Sequence, residues 1–101
     1  MQPAVAELCL VRRICPLMNK DYALYNLGGA QKALGQLIAD MKSDPEYDYG
    51  NYVVDIGHVY HHLNTAWNAR EATNTAANEC SEEDFYRWRQ FPSTEDIYLG
   101  P

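Results

Sequence analysis

The chain has 101 residues and carries 8 lysines and arginines against 14 aspartates and glutamates, a formal net charge of −6. One domain is the expectation at that length, and the acidic balance argues against a general nucleic-acid or anionic-membrane surface, which needs a basic face. No stretch approaches the ~20 apolar residues of a membrane span, while a hydrophobic fraction of 47% argues against wholesale disorder.

Residues 1–17, MQPAVAELCLVRRICPL, differ in character from the rest. As a secretory signal they fail: no positive charge precedes the apolar run, Glu7 interrupts it, and Arg12 and Arg13 stand where it should end. They read as an extension outside the fold, with Met18 opening a helical domain over 18–92 and 93–101 forming a C-terminal tail. Arg12, Arg13 and Lys20 against Glu7 leave the first twenty residues at +2, so the remainder carries −8. Cys9, Cys15 and Cys80 lack the paired spacing of a disulfide framework or a zinc site, and a cytoplasmic protein with reduced thiols is expected.

Leu27, Ala30, Leu34, Leu37 and Met41 recur at alternating spacings of three and four, with Ile38 beside them, on one stripe of a helix. The spacing predicts a helix over about 21–42 with Asp21 as its cap, although Gly28 and Gly29 each cost about 1 kcal/mol in a helix interior. Ser43-Asp44-Pro45-Glu46 then stops and restarts the chain. Asp44 can cap the next helix, Pro45 suits its first position, and Glu46 and Asp48 favour the positive end of its dipole. So short a link turns the second helix back antiparallel to the first.

Tyr49, Tyr52, Ile56, Val59, Leu63, Ala66 and Arg70 form a heptad seam widened by Val53, Tyr60 and Trp67, predicting a helix over about 45–72. Gly35, Gly50 and Gly57 flank the two seams, where close approach of the helix backbones is their expected role. Residues 73–80 are small and polar and read as a loop. Ser81 opens a third helix over about 82–91 through a capping-box pattern with Asp84, ended by Pro92. So short a helix covers only part of a long seam, and a second copy is expected to complete the core as a two-fold dimer forming a bundle.

The densest chemical cluster is Asp55-Ile56-Gly57-His58-Val59-Tyr60-His61-His62. Asp55, His58 and His62 stand at i, i+3 and i+7. The pair His58/His62 can bring two imidazoles to one divalent ion, with Asp55 supplying an oxygen or orienting a ring. Against this, the glutamate of metalloprotease helices is missing. The trio also falls on the side away from the Ile56/Leu63 seam, where it reads as a solvated polar face. Tyr47, Tyr49 and Tyr52, with Trp67 and Trp88, are candidate partner-binding residues, because amphipathic aromatics are enriched at interfaces. Phe85 to Arg89 interleaves aromatic and basic residues, but Glu82, Glu83 and Asp84 cancel their field. That segment is expected to pack on the hairpin, with Arg87 or Arg89 paired to carboxylates of the first two helices. No phosphate-cradling loop and no defensible catalytic triad occurs.

These features predict an all-α fold, an antiparallel helical hairpin with a short third helix. The expected function is a non-enzymatic protein–protein interaction or adaptor module that forms a homodimer and favours a basic partner surface. No cofactor, nucleic acid or membrane is expected. The alternative is a metal-binding protein, or a small metal-dependent enzyme, built on Asp55, His58 and His62.

Overall fold

A computed structural model describes residues 18–93, and every regular element among them is an α-helix. The expectations for residues 1–17 and 94–101 fall outside the described residues. Among those described, no helix is long and apolar enough to cross a membrane.

Helix α1 spans Lys20–Ser43. Its cap is Asn19 and not Asp21: the Asn19 side chain accepts from the Tyr22 backbone N–H at 3.1 Å, and Asp21 only adds negative charge to the first turn. Asn19 also fastens the far end of the hairpin. Its backbone N–H donates to the Arg70 carbonyl at 2.6 Å, and its side-chain amide donates to the Ala72 carbonyl at 2.7 Å.

At the turn, Asp44 caps the wrong helix for the sequence reading. Its backbone N–H closes α1 on the Asp40 carbonyl, and its carboxylate accepts from the Glu46 N–H at 2.8 Å. With Asp44 engaged, helix α2 begins later, spanning Tyr49–Asn68, and is capped by Asp48. Asp48 and Asn51 satisfy each other's backbone N–H groups reciprocally at 2.9 and 3.1 Å. Helix α2 stops before Arg70, whose guanidinium folds over the Trp67 ring at 3.9 Å and donates to the Trp67 carbonyl.

The segment read as a loop contains a short helix, α3, Asn74–Glu79, capped by the Thr73 hydroxyl and ended by Cys80 in a left-handed conformation. Helix α4 spans Glu82–Trp88. Ser81 caps it, accepting from the Asp84 N–H, while the Asp84 carboxylate pairs forward with Arg87 and does not reach back to the cap. It ends short of residue 91 because α2 supplies the partners for its last carbonyls. Asn64 donates to the Arg89 carbonyl at 2.9 Å, and Asn68 donates to those of Trp88 and Gln90.

Helices α1 and α2 pack antiparallel through only part of the predicted seams: Ala30 and Leu37 of α1 and Val59 of α2 are buried as expected. The buried residues of α1 are Ala23, Asn26, Ala30 and Leu37; opposite them lie Val59 and, just past the end of α2, Ala69. Leu27, Leu34 and Met41 stay exposed, as do Tyr52 and Leu63. The small side chains of α1 allow a close approach that large ones would block. Among the glycines the tightest surroundings are at Gly29, where an added Cβ would meet the His62 ring at 2.6 Å. Gly28, Gly35 and Gly57 have nothing within 4 Å of an added Cβ, and Gly50 meets only the Asp48 carboxylate at 3.4 Å. The close-approach role assigned to Gly35, Gly50 and Gly57 therefore belongs to Gly29.

Candidate functional site

The shift of the hairpin contact gives the helix pair two unlike flanks. One is apolar. Leu27, Leu34, Ile38 and Met41 fall within about 60° of one another on α1 at ~100° per residue. Tyr52, Val53, Tyr60 and Leu63 continue that flank on α2, and the eight side chains are each 37–51% exposed. Phe91, after α4, reaches its edge and lies 5.4 Å from the Tyr60 ring.

The other flank is polar, and it carries the Asp55/His58/His62 cluster. The sequence reading placed this trio away from the hairpin contact; the structure places it against α1. A cleft of about 370 Å³ brings the three residues together with Gly29, Gln36 and Asp40. The His58 and His62 Nε2 atoms are 3.1 Å apart. The Asp55 carboxylate accepts from the Tyr47 hydroxyl at 2.8 Å. Among the described residues no group of three or more His, Cys, Asp or Glu side chains gathers as a metal ion would require. Burial, followed by the hydrogen bond and charge of Asp55, pushes the Tyr47 phenol up to about 12. Burial also lowers His62 below the ordinary histidine range, with the neighbouring His58 adding to the effect.

The His58–His62 pair is also a wall of a second, larger cleft of about 720 Å³, between the start of α1, the middle of α2 and the α3–α4 arm. Tyr22 and Trp88 meet edge to face in it, with centroids 5.9 Å apart. Arg89 and His61 form its polar end, Arg89 Nη2 lying 2.6 Å from His61 Nδ1. The expected pairing of Arg87 or Arg89 with carboxylates of the other helices is absent among the described residues: Arg87 pairs within α4, and Arg89 lies over the Phe85 ring at 4.5 Å. Burial first, and then the Arg89 charge, hold His61 below the ordinary range.

The aromatic candidates separate by environment. Tyr49 is 81% exposed and Tyr52 joins the apolar flank. Tyr47 is committed to Asp55, Trp67 lies under Arg70, and Trp88 is buried. Sequence reasoning missed the buried Asn26, the Gly29–His62 contact and the grouping of His61 with Arg89. Two adjacent glycines inside a predicted helix were the available signal for the second of these. No protein-family model matches the chain, and no curated protein or solved structure is found to be similar to it.

Proposed function

We propose that this protein is a non-enzymatic interaction module that self-associates through the apolar flank of its hairpin. The observation that carries the reading is the continuity of that flank across both helices. Its eight large apolar side chains, each 37–51% exposed, form a contiguous apolar patch of the kind that marks a protein–protein contact. A second copy applied by two-fold symmetry presents the same flank and builds a four-helix bundle. With a net charge of −6, the surface left outside that bundle favours a protein partner with a basic face.

A charge placed on the flank tests the reading. Leu34→Glu and Leu63→Glu each convert a dimer to a monomer by light scattering while leaving the helical circular-dichroism signal intact. A wild-type dimer whose mass neither substitution changes contradicts the assignment of the interface.

A second reading, binding of a divalent metal, rests on the His58–His62 pair, whose nitrogens are separated much as two imidazoles are when both ligate one ion, about 3.3 Å. Titration with Zn²⁺ tests it: stoichiometric binding lost in His58→Ala and in His62→Ala supports it, and no binding at micromolar metal rejects it.

A further inference from the structure

The larger cleft shares no lining residue with the apolar flank. Its volume of about 720 Å³ falls within the ~300–1,000 Å³ of small-molecule sites, which combine apolar walls with a few placed polar groups. Here the exposed apolar walls are the rings of Tyr22 and Phe85, with the buried Trp88 packed edge to face against Tyr22. The polar end is Arg89, held on both sides. Its backbone carbonyl accepts from buried Asn64 at 2.9 Å, and its guanidinium spans from His61 to the Phe85 ring.

Among the described residues the single ion pair is Arg87–Asp84. Arg89 is therefore a half-buried guanidinium with no carboxylate partner there, although acidic residues outnumber basic ones 14 to 8 in the chain. A guanidinium offers five N–H donors in a planar fork that matches a carboxylate or phosphate. Only part of that capacity is used by His61. We infer that this cleft binds a small organic anion bearing a planar ring, its carboxylate or phosphate on Arg89 and its ring against Tyr22 and Phe85. The aromatic walls supply stacking and apolar burial, and the Arg89 fork supplies orientation and charge.

Isothermal titration of the full chain with phenylacetate, phenyl phosphate and inorganic phosphate tests the inference. At least one ring-bearing anion binds, about tenfold or more tighter than inorganic phosphate. Phenylacetate alone identifies a carboxylate ligand, and phenyl phosphate alone a phosphate ester. Arg89→Gln keeps the backbone carbonyl held by Asn64 and weakens binding by about 10- to 100-fold, the loss of a charge-assisted hydrogen bond. Phe85→Leu, which removes an aromatic wall of the cleft and keeps the Arg89 charge, weakens it as a second variant should the first fail to fold. No heat from either ring-bearing anion at millimolar concentration overturns the inference. Equal affinity for inorganic phosphate, or an affinity unchanged in both variants, also overturns it.

Discussion

Gly29→Ala is the sharpest test of how the hairpin closes. An alanine Cβ at this position would lie 2.6, 2.8 and 3.0 Å from three atoms of the His62 ring, inside the distance at which something must move. Alanine is favoured over glycine within a helix by about 1 kcal/mol, whereas overpacking a fitted contact costs about 1–3 kcal/mol. The two effects oppose each other at Gly29. At Gly35, where nothing lies within 4 Å of an added Cβ, only the favourable one operates. Gly35→Ala is therefore expected to raise stability by up to ~1 kcal/mol and Gly29→Ala to lower it, a difference of about 1–3 kcal/mol between the variants. In a domain of this size each kcal/mol moves the melting temperature by roughly 4–8 °C. Urea and thermal unfolding followed by circular dichroism resolve it. A Gly29→Ala/His62→Ala double variant frees the space, and its coupling energy is expected to recover most of the clash. If Gly29→Ala stabilises as much as Gly35→Ala and shows no coupling to His62→Ala, the His62 ring is not held against Gly29.

Three further outcomes follow from the same structure. Asn68→Ala leaves the Trp88 and Gln90 carbonyls without their donor; a loss of about 1–3 kcal/mol and faster proteolysis near residues 88–93 are expected, and unchanged proteolysis contradicts the anchoring role. Trp88 is 3% exposed, so Trp88→Ala is expected to cost about 3–5 kcal/mol, a large share of a small domain's ~5–15 kcal/mol, and a cooperative transition near the wild-type midpoint would refute its place in the core. His61 and His62 titrate below 6.5 in the folded state because burial, and then nearby Arg89 and histidine charges, disfavour their protonation. As pH falls through 6.5 the unfolded chain takes up protons that the folded chain does not, so this part of the stability is fully present above 6.5 and lost on acidification. The urea midpoint is expected to drop between pH 7.5 and 5.5, and to drop less in His61→Gln/His62→Gln; an equal drop in that variant sinks the assignment.

The sequence made the helices legible and the contact between them much less so. Periodicity located α1, α2 and α4 because an amphipathic stripe reports local helical geometry. Helix ends were misplaced where a side chain had two possible uses: Asp44 serves the turn, leaving Asp48 to cap α2, and Asn64 and Asn68 cut α4 short by holding its carbonyls. The packing face was legible only in part. Ala30, Leu37 and Val59 of the predicted seams are buried, but Leu27, Leu34 and Met41 of the same stripe stay exposed while Ala23 and Asn26, outside it, are buried, because hydrophobicity alone does not weigh reach against fit. The same rotation turned His58 and His62 from an outer face toward α1. It also brought His61 to Arg89, just past α4 and 28 residues away, a grouping that no local spacing encodes.

The central claim, that the exposed apolar stripe is one face of a dimer, is tested most directly by sedimentation equilibrium of the full chain from about one to fifty micromolar. A mass of twice 11.5 kDa, about 23 kDa, constant across the range, is expected of a standard-sized interface. A single species of 11.5 kDa throughout that range would contradict it.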